Sequence, residues 1–243
     1  MVCRHLPVKQ LKLGKIIMRE SEMNEMEKNY TVEPSVFEGL VQEHFGNNLL
    51  YIDQGDHGEV FASDDYALKI MKKNNVEIDI MSYFQDTNPY GLIPEVFHIG
   101  IIDGNKAIFR ENIMDIEDSI YHDSLFSMFT QYCRNAEILL YGIISLEEFE
   151  KRKTELIKQW GSRDEDNLDL RDLIDFHDFL KKQNILLNDM HIGNFGIDKN
   201  GNVKIRDFSY CLLLPGFNFI PKYDNDMITN IKNKLNYNIS MNM

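Results

Sequence analysis

From Pro34 onward, apolar positions recur first at helical and then at strand spacing. Ser35 stands where an N-cap belongs, ahead of an apolar face made of Val36, Phe37, Leu40 and Val41, and Gly46 ends the pattern. Runs at 49–52, 59–62 and 66–71 read as antiparallel strands, with Ser63-Asp64-Asp65 as the tight turn between the last two. A short helix is expected over 76–85, and two further strands over 96–102 and 106–112, joined by the turn triplet Asp103-Gly104-Asn105.

The second half changes period. Helices are expected over 124–141, 145–160 and 168–182, the second opened by Ser145 and Glu148 in capping-box spacing. Residues 163–167 form an acidic loop, 203–205 a short strand, and 224–235 a terminal helix. Residues 1–31 are rich in Met, Lys and Glu and hold no strand pattern. The predicted organisation is α+β: an N-terminal tail or helix over 1–33, a small β-rich lobe over 34–114, and a larger α-rich lobe over 115–243.

Composition narrows the class. A chain of 243 residues with 43% hydrophobic and 11% aromatic content can bury a sizeable core. A formal charge of −13 argues against a broad nucleic-acid footprint, which needs clustered Lys and Arg. Cys3, Cys133 and Cys211 are odd in number and widely spaced, so neither a disulfide framework nor a zinc site is indicated, and a reducing, cytoplasmic setting is expected. No run is long and apolar enough for a membrane span. The basic residues among the first twenty lack the apolar centre of a targeting segment and read as an extension.

The candidate chemistry begins with NDMHIGNFGIDKNGNVKIRDFSY, Asn188 to Tyr210. Two readings stand on these residues. One is a solvated hairpin, because Lys199-Asn200-Gly201-Asn202 has turn chemistry of its own. The other is a magnesium and phosphate site. Asn194 follows Asp189 by five residues, and Asp207-Phe208 lies thirteen further on. An amide oxygen and a carboxylate suit Mg²⁺, a hard cation that takes few protein ligands beside phosphate oxygens. Asp189 would instead accept a hydrogen bond from an attacking hydroxyl.

A second group lies in QGDHGEVFASDDYALKIMKK. Gly55 and Gly58 sit in a turn between strands, where missing side chains let backbone N–H groups approach phosphate. Val60 opens the next strand, where it can cover an adenine ring. Lys69, in Ala67-Leu68-Lys69, is a charge inside an apolar strand, costly unless paired or bound to phosphate. Taken singly, the glycines also fit an ordinary hairpin, and the lysine a snorkelling side chain.

In their joint order these residues resemble the protein-kinase-like superfamily. Gly55, Gly58 and Val60 are similar to the GxGxxGxV loop, with Asp53 in place of its first glycine. Ala67-Leu68-Lys69 resembles the AxK strand, Asp189 and Asn194 the catalytic Asp and Asn of HRDxxxxN, and Asp207-Phe208 the start of DFG. The resemblance spans roughly residues 49–210. DMHIGN, with His191, is nearer the loops of aminoglycoside phosphotransferases and compact T7-type phage protein kinases. Leu187 and Asn188 replace the His-Arg pair, Ser209 replaces the last Gly of DFG, and no APE follows.

The resemblance implies a bilobal fold, ATP and Mg²⁺ as cofactors, and roles for these positions. Lys69 would reach phosphates, oriented by Glu77 or, as a rival, Asp79. Asp189 and His191 would face the reaction, and Asn194 and Asp207 would hold metal. Glu111 and Ile113 would bring backbone groups to adenine beside Gly55, Gly58, Val60 and Ala67.

Three functions follow. One is a serine/threonine protein kinase acting on protein substrates, which the phage resemblance ties to a host cytoplasm. A second is a small-molecule kinase with a hydroxyl acceptor, resting on DMHIGN and the absent activation segment; the acidic segments at 115–123 and 163–172 would suit a cationic substrate but read first as solvated faces. A third is a pseudokinase acting as a partner-binding inhibitor, favoured by Asp53, Leu187, Asn188 and Ser209.

Overall fold

The structure is a computed structural model that describes residues 35–73, 76–88, 90–116, 120–161, 168–188 and 190–241. The extension expected over 1–33, the acidic loop at 163–167 and the candidate base Asp189 lie outside the described residues.

The described chain is mixed α/β, built on a five-stranded antiparallel sheet. Its strands are β1 (Leu50–Gln54), β2 (Gly58–Ala62), β3 (Tyr66–Met71), β4 (Val96–Ile102) and β5 (Asn105–Glu111), in the spatial order β1-β2-β3-β5-β4. Turn chemistry sets the register. Asp103 and Gly104, at φ 47° and 79°, make a left-handed two-residue turn whose twist suits a hairpin, leaving Ile102 opposite Asn105. Between β2 and β3, the Ser63 N–H donates to Tyr66 O at 2.8 Å, and Ser63 Oγ accepts from the Tyr66 N–H.

Strand alternation divides the apolar residues between two cores. Leu68 and Ile70 of β3 join Phe61 and Phe109 on one face, against Val41 and Phe45 of α1 (Glu38–Phe45) and Phe37 at its N-cap. The terminal helix α6 (Met227–Met241) completes that core with Met227, Ile231 and Leu235. Its entry is anchored where the Asp224 N–H donates to Ile99 O at 2.6 Å. Gly100 lies under this contact, and a Cβ there would stand 2.6 Å from Asp224 O. Met71, Ile99 and Ile108 face the second core.

That second core takes in α2 (Val76–Tyr83) and three longer helices, α3 (Ile120–Leu140), α4 (Leu146–Trp160) and α5 (Leu170–Lys182). Tyr132, Phe126, Phe129 and Phe176 are its largest fully buried side chains from α3 and α5. Ser145 caps α4 by accepting the Glu148 N–H at 3.2 Å, while the Glu148 carboxylate turns to Arg152 and leaves the reciprocal half of the box unmade. The complete capping box is at α5, where the Asp169 N–H donates to Asp172 and Asp169 accepts from the Arg171 N–H.

The entry to α1 departs from the expectation. Val36 is 73% exposed and precedes the helix, so it is no part of the apolar face. Ser35 stands two residues before the N-cap residue Phe37, and its Oγ accepts the Phe37 N–H at 3.2 Å. Glu59, fully buried on β2, accepts the Val36 and Phe37 N–H groups at 3.1 and 3.2 Å and the Ser35 hydroxyl. Burial pushes the Glu59 carboxyl pKa up, but bonds from Ser35, Lys72 and the two amides outweigh it and hold the net value low.

The chain after α5 is irregular. Short strands β6 (Ile185–Leu186) and β9 (Leu212–Leu213) pair with each other, and β7 (Phe195–Ile197) pairs with β8 (Val203–Ile205). The β7–β8 turn has the expected residues: Gly201 is left-handed at φ 83°, and Asp198 Oδ1 accepts from the Asn200 and Asn202 N–H groups. Met114 bridges to Ile197 through reciprocal bonds of 2.9 and 3.0 Å, tying the segment after β5 to this hairpin.

Candidate functional site

Alternation along β3 buries Lys69 among apolar neighbours and points it away from the core that holds Leu68 and Ile70. A buried ammonium requires partners. Lys69 Nζ donates to Glu77 Oε2 at 2.6 Å, and lies 3.3 Å from Asp207 Oδ2 and 3.5 Å from Ser209 Oγ. Glu77 comes from the first turn of α2 and is fully buried. Of the two acids left open by the sequence, Glu77 meets the lysine, while Asp79 is half-buried and its carboxyl pKa is raised by desolvation.

Ser209 ties the acids together. Its hydroxyl donates to Glu77 Oε2 at 2.8 Å and its N–H to Asp207 Oδ1 at 2.7 Å. Burial pulls the Lys69 pKa down, but the charges of Glu77 and Asp207 outweigh it and the net shift is upward. Burial likewise pushes Asp207 up, and the Lys69 charge with the two Ser209 bonds brings it below the ordinary aspartate value. Both groups stand charged.

The cluster forms one wall of a cavity of about 480 Å³. Ile52, Val60, Ala67 and Ile113 give it an apolar side, and Lys69, Arg110, Asn194 and Asp207 a polar one. Gly55 and Gly58 line its rim, with the Gly55 N–H closing the turn on Gly58 O at 2.9 Å. Gly58 meets a packing demand as well: a Cβ there would stand 2.7 Å from Ile70 O, so β2 could not approach β3.

Asn194 ends a short 3-10 turn, Ile192–Asn194, and its carbonyl accepts the Arg206 N–H at 2.7 Å, one residue before Asp207. His191 also lines the cavity. Its Nδ1 accepts the Gly193 N–H at 3.1 Å, which holds the ring as the cap of that turn. Glu111 stands apart, because its side chain alternates away from that of Arg110. Its carboxylate accepts the Glu95 N–H at 2.8 Å and lies 3.5 Å from Lys204 Nζ, in a separate hollow. Asn112 and Ile113, next in the chain, line the main cavity.

Several lining residues carried no expectation. His57 packs edge-on against Tyr210 at 4.8 Å between ring centres, and the Tyr210 hydroxyl lies 3.2 Å from Asp56 Oδ2, linking the glycine turn to the residues after Asp207. Arg206 pairs with Asp115 and donates to Gly193 O at 3.1 Å. Arg110, only 4% exposed, has the same signal in the sequence as Lys69, a cation inside an apolar strand.

The donor set fits a nucleotide with magnesium better than a free-standing metal centre. Among the described residues no group of three or more His, Cys, Asp or Glu side chains is placed to hold a metal ion. Asp207 and Asn194, both on this cavity, offer a carboxylate and an amide oxygen, donors of the kind that Mg²⁺ takes beside phosphates. The volume is within the usual range for small-molecule pockets, roughly 300–1,000 Å³. Among the described residues no helix is long and apolar enough to cross a membrane.

No protein-family model matches the chain, and no curated protein matches it in sequence. Among solved structures it is similar to the kinase PK-1 of Cydia pomonella granulovirus, at 13% identity and a TM-score of 0.39, over 69% of this chain and 54% of that one. The chain thus spans about half the length of that kinase.

Proposed function

We propose that the protein is a nucleoside-triphosphate- and magnesium-dependent phosphotransferase of bilobal, protein-kinase-like architecture, with ATP as the expected donor and a protein serine or threonine hydroxyl as the acceptor. The observation that carries this is the charged cluster itself: Lys69, held by buried Glu77 at 2.6 Å and Asp207 at 3.3 Å, stands beside an apolar surface in one cavity. A flat base lies on Val60 and Ala67 while Lys69 offers N–H donors to phosphate oxygens.

Each residue has a separate task. Glu77 keeps Lys69 charged and oriented. Ser209 fixes the Asp207 carboxylate, which with Asn194 supplies oxygen ligands. Magnesium held there would supply charge neutralisation at the transferring phosphoryl group. Asp189 accepts the hydrogen bond of the acceptor hydroxyl and aims it in line. His191 borders the reacting end.

The test is incubation with γ-labelled nucleotide and Mg²⁺, first alone and then with cell lysate. Labelled proteins, lost on Asp189→Ala, are expected. Label in small molecules only would move the acceptor to that class. Absence of nucleotide binding, with partner binding unaffected by Lys69→Ala, would leave a non-catalytic partner-binding protein.

A further inference from the structure

The helix α2 is eight residues long, with Glu77 in its first turn and Tyr83 as its last residue. At about 100° and 1.5 Å per residue, the two side chains leave it roughly 120° apart around the axis and about 9 Å apart along it, so they point to different sides. Ile78, Ile80 and Met81 bury α2 in the second core. The Tyr83 ring meets Phe217 and Phe219 edge-on, with ring centres 5.7 and 5.4 Å away, and its hydroxyl donates to Gln183 Oε1 at 2.8 Å, at the end of α5.

Both phenylalanines belong to a strap, residues 214–224, that is fixed at each end. At its start the Leu214 N–H donates to Asn184 O at 2.7 Å, directly after the pairing of β9 with β6. Leu214-Pro215-Gly216-Phe217 has the sequence and bonding of a type II turn: the Phe217 N–H donates to Leu214 O at 3.1 Å, and Gly216 stands third at φ 103°. At its end the Asp224 N–H donates to Ile99 O at 2.6 Å on β4, and the Asp224 carboxylate lies 3.0 Å from His98 Nδ1. The two rings are thus held against α2 from outside.

We propose that Phe217 and Phe219 are positioning residues for the reaction: packed on Tyr83, they hold α2 where Glu77 meets Lys69. This rests on the nucleotide-binding function proposed above. Lys69 has a competing carboxylate within reach, since Asp207 Oδ2 lies 3.3 Å from its Nζ. An α2 displaced outward would leave the ammonium to Asp207 alone, away from phosphate and bound to the group that is to hold magnesium. The strap prevents this, so the chain carries its own brace for the Lys69–Glu77 pair.

Calorimetric titration of the full chain with MgATP and with adenosine separates this role from a general contribution to the fold, because only MgATP brings phosphates to Lys69. Phe217→Ala with Phe219→Ala should weaken MgATP about tenfold and leave adenosine unchanged. Glu77→Gln should show the same pattern, and adding the two alanines to it should weaken MgATP no further. Phe219→Leu, which keeps an apolar contact with Tyr83, should bind like the wild type. If the double variant fails to fold, Phe219→Ala alone, at a half-buried position, decides by the same readout. Unchanged MgATP affinity in the folded variants would overturn the inference. An equal loss for adenosine, or a further loss on top of Glu77→Gln, would overturn it too, and wild-type binding would still leave the nucleotide site standing. Failure of the wild type to bind MgATP would overturn the nucleotide site and the inference with it.

Discussion

Lys69 Nζ and Glu77 Oε2 lie 2.6 Å apart with both side chains almost wholly withdrawn from water. In so dry a setting, removing one partner costs more than the pair contributes, because the other charge is left behind. Lys69→Met should therefore lower stability by about 3 kcal/mol. Lys69→Met with Glu77→Gln should recover part of that loss while phosphotransfer stays absent. Urea unfolding midpoints of the three proteins check this.

Asp207 is different, since its side chain is 37% exposed. Asp207→Asn keeps the shape and an acceptor for the Ser209 N–H, so the fold should hold. Phosphotransfer should fall on the order of a hundredfold or more, and nucleotide affinity should lose its dependence on magnesium. Calorimetry with and without Mg²⁺ reads the second effect independently of turnover.

Asp178 gives a pH dependence away from the cavity. Burial pushes its carboxyl pKa up, but His177, the Lys153 ammonium at 2.7 Å and the Tyr132 hydroxyl at 2.6 Å outweigh burial and depress it strongly. A pKa lower in the folded than in the unfolded chain contributes stability above the ordinary aspartate value and loses it as pH falls toward the folded value. Asp178→Asn should thus be destabilised near neutral pH, and its gap to the wild type should narrow below about pH 4. Denaturant midpoints across that range measure the gap.

Gly196→Ala tests how the hairpin supports the cavity. A Cβ at this position would strike Ile113 Cγ2 and stand 2.5 Å from Met114 O, so the bridge to Ile197 must shift. A loss of about 1–3 kcal/mol is expected, with faster hydrogen exchange at the Met114 and Ile197 amides. Unchanged exchange there would show that the segment holds its place without the bridge.

Much of the local structure was legible because its causes are local. The hairpin at Asp103 and Gly104 needs left-handed residues, the β7–β8 turn needs Gly201 and an acceptor such as Asp198, and each announces itself in a few letters. Lys69 was legible for the same reason: a charge within an apolar strand signals a partner. Its partner was harder. Glu77 and Asp79 lie two apart on one helix, and which of them meets Lys69 is set by the direction each faces once α2 has packed.

By itself the sequence determined the five strands of the main sheet, the hairpin turns, and the set of ionisable residues available for chemistry. Those depend on side-chain type and on contacts between near neighbours. Tertiary structure alone decided that Glu59 would collect the amides leading into α1, that α6 would return to share a core with α1, and that Arg110 rather than Glu111 would face the cavity. Each of these joins segments far apart in the chain, and strand register or helix packing, which no short stretch encodes, selects which side chains meet.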